Sequence, residues 1–206
     1  MSHGVVPERL AEGARAGIGP LARALAALGI SANAVTITGG VLSVVGAGFL
    51  SAEMPLPALL VLLVGTLADT LDGQLAKASG GGTRLGAFLD STVDRVADGA
   101  LFVGAAVAGA DLGQPLLLWS SLIALVASSL VPYVRAKAES LGVSATVGPA
   151  PREARIVIFL VGLAAWALVG LEALFVAAIF ALAMLSTITF VLRVVYVGRQ
   201  LSTKER

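Results

Sequence analysis

Six apolar runs alternate along the chain with short polar breaks, and their lengths are those of membrane crossings. Ala34 to Ser51 forms the first run. Leu56 to about Leu67 opens the second, which continues into polar sequence as far as Lys77. The third begins near Leu85 and carries on through residues 101–110, and the fourth covers Pro115 to Val134 with a polar extension through Glu139. The fifth spans Ile156 to about Leu171 and the sixth Ala173 to Leu192. Helices of roughly 20 residues cross a hydrocarbon core of about 30 Å, so six transmembrane helices are predicted. The fifth run is short, which predicts a helix that starts earlier, in the polar residues before Ile156. Glu53-Met54-Pro55 and the stretch from Asp111 to Pro115 read as tight turns, and a Gly-, Ser-, Thr- and Pro-containing loop covers Leu141 to Pro151. Ser31 and Asn33 are candidates to cap the first helix. Ahead of it, Glu8, Arg9, Glu12, Arg15 and Arg23 interrupt any continuous apolar run, unlike a secretory signal peptide. Pro20 to Leu28 predicts a short amphipathic helix, with Leu21, Leu25 and Leu28 on one face, lying in the membrane interface.

Composition agrees with this pattern and removes several chemistries. Of 206 residues, 57% are apolar and only 13% charged, with a mean hydropathy of +0.94. Globular domains carry roughly 25% charged residues, so the chain reads as an all-α integral membrane protein. The absence of cysteine excludes disulfides, thiolate metal sites and cysteine nucleophiles. A single histidine, His3, close to the N-terminus, speaks further against zinc-type ligation. All 14 Lys and Arg fall in four blocks, residues 9–23, 77–95, 135–155 and 193–206. The breaks between those blocks carry Glu53, Asp111 and Glu172 and no basic residue. With six spans the four blocks share one face, which the positive-inside rule makes cytoplasmic, with both termini on that side. The chain then divides into an N-terminal cytoplasmic segment (1–30), a six-helix membrane domain (31–197) and a cytoplasmic tail (198–206). The Ala-, Gly- and Val-rich composition is associated with high-GC bacterial sequences, and the expected location is a bacterial cytoplasmic membrane.

Against this apolar background five aspartates stand close together: Asp69, Asp72, Asp90, Asp94 and Asp98. Asp69 and Asp72 are three apart on one helix, and Ala76 continues their stripe. Gly80, Gly81 and Gly82 break the helix, and the next carries Gly86, Asp90 and Asp94 at intervals of four. Two helices joined by a Gly-rich turn thus aim two pairs of carboxylates into one space at the cytoplasmic side. Converging carboxylates repel and are costly to desolvate; a divalent cation relieves both, and hard oxygen ligands favour magnesium, manganese or calcium. A transporter would place such groups near mid-membrane and show repeat symmetry, and no internal repeat is visible. An assembly protein would pair them with Arg84 and Arg95. A metal-dependent transferase acting on a phosphate-bearing substrate fits best, with Lys77, Arg84 and the Gly-rich turn supplying positive charge and close backbone approach.

The run Asp69-x2-Asp72-Gly73-x2-Ala76-Lys77-x8-Gly86-x3-Asp90-x3-Asp94 resembles the signature of the CDP-alcohol phosphotransferases, six-helix membrane enzymes that are usually homodimers. Lys77 stands where the family pattern has arginine; every other fixed position matches. The resemblance implies that Asp69, Asp72, Asp90 and Asp94 bind two divalent cations, Mg2+ or Mn2+, which in turn hold the pyrophosphate of a CDP-linked lipid. It implies that Gly73, Ala76 and Gly86 let the nucleotide approach, that Lys77 contacts phosphate, and that Asp94 is the general base for the acceptor hydroxyl, which attacks the β-phosphorus and expels CMP. The stretch from Ser31 through Asn33 to Thr36 resembles the family's segment before the first helix, with Ala32 in place of proline, and implies a nucleotide contact from Thr36. Lysine keeps the charge of arginine and loses its planar fork, so position 77 is a real departure.

The remaining basic residues bear on the acceptor. Arg135 and Lys137 near the end of the fourth helix, Arg152 and Arg155 before the fifth and Arg193 after the sixth have an ordinary reading as flanks that attract anionic lipid. Together, however, they resemble the actinobacterial phosphatidylinositol phosphate synthase branch of the family, as do the Gly80–Arg84 turn and the Asp94-Arg95-x2-Asp98-Gly99 continuation. That resemblance implies an acceptor-phosphate pocket built from Arg135, Arg152, Arg155 and Arg193, inositol 1-phosphate as acceptor and CDP-diacylglycerol as donor. Pro132 departs from the serine expected there. Glycerol 3-phosphate, giving phosphatidylglycerophosphate, would use the same arginines. An inactive CDP-lipid-binding paralogue is the non-enzymatic alternative, and retention of all four motif aspartates argues against it.

Overall fold

The computed structural model describes residues 19–204, and these are helical apart from short connections, with no strand among them. In chain order the elements are α1 (19–27), α2 (Ala32–Ser51), α3 (Pro55–Ala78), α4 (Arg84–Asp111), α5 (Pro115–Ser140), α6 (Arg152–Val169) and α7 (Glu172–Lys204). The expectations placed on His3, Glu8, Arg9, Glu12 and Arg15 fall outside the described residues. Helices α2 to α7 follow the six apolar runs. As its short run requires, α6 starts before Ile156, and α7 continues well beyond Leu192 to Lys204. Gly170 ends α6 in the left-handed conformation (φ 73°), its N–H bonded to the carbonyl of Trp166 at 3.0 Å.

Four of the helices, Ala32–Ser51, Pro55–Ala78, Pro115–Ser140 and Glu172–Thr203, are long and apolar enough to cross a membrane. Composition alone does not mark α4 and α6, because Asp90, Asp94, Arg95 and Asp98 lie along α4 and Arg152, Glu153 and Arg155 open α6. Large apolar side chains are exposed on several helices, among them Leu60 (56%), Trp119 (62%) and Val161 (65%). An apolar surface of this kind is penalised in water and neutral in hydrocarbon. The protein is a membrane protein, all-helical over the described residues.

The chain forms two compact units, one of residues up to Val45 together with Leu60–Ala97, the other of Gly46–Leu59 together with Asp98–Arg206. In the first, α2 meets α3 where both lack side chains: a Cβ on Gly39 would lie 3.2 Å from the carbonyl oxygen of Gly65, and one on Gly65 the same distance from that of Gly39. Gly40 makes equal room for Val93 of α4. Small residues of this kind are how helices approach in the absence of a hydrophobic drive between them. In the second unit the rings of Phe102, Phe159 and Phe175 pack edge to face in sequence, with Trp166 stacked on Phe175. Gly148, in the loop before α6, has φ 122° and sits so close to Thr189 that no side chain fits.

Candidate functional site

Two capping residues set the frame of the first unit. Ser31 Oγ accepts the backbone N–H of Ala34 at 3.2 Å and starts α2, and Thr83 Oγ1 accepts that of Gly86 at 2.9 Å and starts α4. Between α3 and α4 the chain turns through Gly80 (φ 98°) and Gly81 (φ 112°), conformations that glycine adopts without strain. The turn is short, so the C-terminal end of α3 and the N-terminal end of α4 belong to one corner.

At that corner Asp69 of α3 and Asp90 and Asp94 of α4 each present a carboxylate oxygen, and all three oxygens lie within 4.8 Å of one another. Ligands across an ion with metal–oxygen bonds of about 2.1 Å are about 4.2 Å apart. Three hard oxygen donors at this spacing therefore fit a magnesium- or manganese-class cation. Asp72, one turn along α3, is buried and stands outside this group of three. Its Oδ2 accepts the hydroxyl of Thr36 at 2.5 Å. Arg95 Nη2 lies 3.6 Å from Asp94 Oδ2.

Alongside the carboxylates is a cavity of about 620 Å³ lined by Ser31, Asn33, Thr36, Asp72, Gly73, Ala76, Thr83, Arg84, Gly86 and Asp90, among others. A Cβ on Gly73 would meet no protein atom within 4 Å, so the space it leaves belongs to the cavity rather than to helix packing. At Gly86 a Cβ would stand 3.1 Å from Asn33 Oδ1 and 3.1 Å from Thr83 Oγ1, so here glycine admits the side chain of Asn33. Asn33, a candidate cap in the sequence, thus faces α4 across the cavity, while Ser31 does the capping. Lys77 is exposed at the end of α3 and is not among the lining residues; Arg84 is.

In the second unit the arginines singled out from sequence are already held. Arg135 Nε donates to Glu139 Oε1 at 2.8 Å, one turn along α5. Arg152 Nε and Arg155 Nη2 reach the two oxygens of Asp98, at 3.3 and 3.0 Å, and Arg155 Nη1 donates to the carbonyl of Ala150 at 3.2 Å. Arg193 Nε donates to the Val147 carbonyl and its Nη1 to the Val131 carbonyl, both at 2.9 Å. Thr189 Oγ1 accepts the N–H of Ala150 at 3.2 Å. The loop before α6 is thereby tied at three carbonyls or amides by α6 and α7. The charges of Arg135 and Arg155 both act on Arg193, so the three form one cationic group. Asp98, which the sequence alone leaves without a role of its own, is the buried counter-charge. Its signal was available: it extends the Gly86, Asp90, Asp94 stripe by one further step of four.

The chain matches the family model described as CDP-alcohol phosphatidyltransferase over residues 29–196. It is 40% identical over 148 residues to the phosphatidylinositol phosphate synthase of Mycolicibacterium smegmatis, covering 69% of this chain and 65% of that relative's length. Over 186 residues it is 38% identical to the archaetidylinositol phosphate synthase of Methanothermobacter thermautotrophicus, covering 89% of this chain and 90% of the other. Among solved structures it is similar to crystal structures of the Mycobacterium tuberculosis phosphatidylinositol phosphate synthase. The complex with manganese and citrate gives a TM-score of 0.82 at 34% identity, covering 88% of each chain. The form with CDP-DAG bound gives 0.79 at 35% identity, covering 87% of this chain and 92% of that one.

Proposed function

The chain belongs to the CDP-alcohol phosphatidyltransferase family, and on that premise we propose that it transfers the phosphatidyl group of CDP-diacylglycerol to inositol 1-phosphate, releasing CMP. The single observation that carries the reading is the convergence of Asp69, Asp90 and Asp94 within 4.8 Å beside a cavity of nucleotide size. Asp69, Asp90 and Asp94, with Asp72 one turn along, would hold two divalent cations, Mg2+ or Mn2+. When bound, the cations neutralise the pyrophosphate and the leaving CMP. Asp69, Gly73, Ala76 and Gly86 form the nucleotide end of the site, and Arg84, which lines the cavity, supplies its positive charge. A carboxylate oxygen of Asp94 takes the proton of the acceptor hydroxyl, whose oxygen then attacks the β-phosphorus. The bond between that phosphorus and the CMP oxygen breaks, and CMP leaves.

Arg135, Arg152, Arg155 and Arg193 serve the acceptor's phosphate. The support is their clustering: Arg135 and Arg155 both act electrostatically on Arg193, and Arg152 and Arg155 share the carboxylate of Asp98. A phosphate monoester near pH 7 carries about −1.5 to −2 and suits a group of guanidiniums, whereas an uncharged alcohol or serine offers them no counter-charge. All six of α2 to α7 cross the bacterial cytoplasmic membrane, with both termini and the carboxylates on the cytoplasmic side, α1 in the interface and the tail beyond residue 197 in the cytoplasm. The segregation of basic residues supports this. A homodimer is the assembly that the family resemblance implies.

The test is CMP release by purified protein in detergent with CDP-diacylglycerol and Mn2+, offering inositol 1-phosphate, glycerol 3-phosphate, free inositol and serine separately. Release with inositol 1-phosphate alone is expected. Release with glycerol 3-phosphate alone would reassign the acceptor, and none with any of them, while CDP-diacylglycerol still binds, would indicate a binding paralogue.

A further inference from the structure

Thr36 lines the cavity, but its hydroxyl faces the protein. It donates to Asp72 Oδ2 at 2.5 Å, between two residues that are each 7% exposed. The Ala32 carbonyl, one turn back, lies 3.0 Å from the same hydroxyl oxygen. A hydroxyl has one proton, so it serves one of these acceptors at a time, and the carboxylate makes the stronger bond. The helices approach closely through glycines. Gly39, one turn after Thr36, and Gly65 pack so closely that a Cβ on either would stand 3.2 Å from the other's carbonyl oxygen. The Thr36–Asp72 distance is therefore set by a rigid crossing of α2 and α3. Asp72 in turn sits where the charges of Asp69 and Asp90 act on it. A buried carboxylate among like charges gains by rotating away from them unless a donor fixes it.

We propose that Thr36 is a positioning residue for the divalent-cation site: its hydroxyl fixes Asp72 beside Asp69, Asp90 and Asp94 and so raises the affinity for the cation, without contacting the nucleotide. The inference rests on the reading of these carboxylates as cation ligands and adds to it a residue on a third helix. Groups that orient metal ligands are worth about 10–100-fold in metal affinity. Valine has the shape of threonine without the donor, whereas serine keeps the donor.

The experiment is titration of Mn2+ into detergent-purified protein, followed by electron paramagnetic resonance without nucleotide, for wild type, Thr36→Val and Thr36→Ser. Binding of CDP is then measured at saturating Mn2+. Thr36→Val is expected to bind Mn2+ about tenfold more weakly, and Thr36→Ser to stay within about threefold of wild type. CDP affinity at saturating Mn2+ should be unchanged in both. Thr36→Ala carries the same expectation as Thr36→Val should the valine variant not yield folded protein. Wild-type Mn2+ affinity in Thr36→Val would overturn the inference. A loss confined to CDP affinity would do so too, and would make Thr36 a nucleotide contact. Failure of the wild-type protein itself to bind Mn2+ would instead overturn the cation-site reading on which the inference rests.

Discussion

The two clusters of charge in this molecule are built in opposite ways. The acidic one, Asp69, Asp90 and Asp94, gathers like charges within 4.8 Å on two consecutive helices joined by a turn. The basic one, Arg135, Arg152, Arg155 and Arg193, draws on three helices, and each guanidinium is already bonded to a carboxylate or a backbone carbonyl. Gathered carboxylates repel one another and are costly to desolvate, and a divalent cation relieves both. The arginines are each tied to a carboxylate or a carbonyl of the fold. The first arrangement suits a cofactor that is always required. The second suits a substrate that comes and goes, since the fold around the arginines does not depend on its presence.

The largest effect should come from the acidic side. Asp94→Asn is expected to lower CMP release by about 10²–10⁴-fold, the worth of a positioned general base, while the protein still folds and binds CDP-diacylglycerol. Turnover near wild type in that variant would remove Asp94 as the base.

The next test separates structure from substrate binding on the basic side. Asp98→Asn leaves Arg152 and Arg155 sharing a neutral partner in a buried place, where breaking an ion pair costs on the order of 3 kcal/mol. A clear fall in the thermal midpoint is expected, and an unchanged midpoint would show that the buried pairs do not hold the loop before α6. Arg155→Ala sharpens the same comparison. The KM for inositol 1-phosphate should rise about tenfold, roughly 1.4 kcal/mol, with that for CDP-diacylglycerol little changed. If both stay constant, Arg155 is a structural tie alone.

The smallest effect belongs to the helix crossing. Gly65→Ala puts a Cβ 3.2 Å from the Gly39 carbonyl, and overpacking of this kind costs about 1–3 kcal/mol. A stability loss at the low end of that range is expected in thermal melts, with Mn2+ affinity reduced because the Thr36–Asp72 distance changes. Stability and metal affinity both at wild-type level would show that the crossing tolerates a methyl group.

The same contrast governs how much of the molecule is legible in its chain. The carboxylate cluster was legible because its geometry is local: spacings of three and four on two helices, with glycines that permit a tight turn, specify which side chains share a face. The membrane helices were legible because apolar runs of that length rarely occur in chains that fold in water, and the start of α6 before Ile156 followed from its short run. The partners of the arginines were not legible. Asp98 with Arg155, or Arg193 with the carbonyls of Val131 and Val147, are contacts between positions more than 40 residues apart, and no periodicity encodes them. Thr36 lay between the two cases. It lines the cavity beside the carboxylates, but the direction of its hydroxyl, toward Asp72, is set by how α2 and α3 approach. Likewise Lys77 keeps the motif's charge, yet it is exposed at the end of α3, and the cation lining the cavity is Arg84.

The central claim is that these carboxylates bind a CDP-lipid through a divalent cation. Calorimetric titration of CDP into detergent-purified protein, with Mn2+ and then with EDTA in place of the metal, tests it most directly. The expected result is binding with Mn2+ that disappears with EDTA and is lost in Asp90→Asn at the same Mn2+ concentration. CDP binding of equal strength with EDTA, or undiminished in Asp90→Asn, would contradict it.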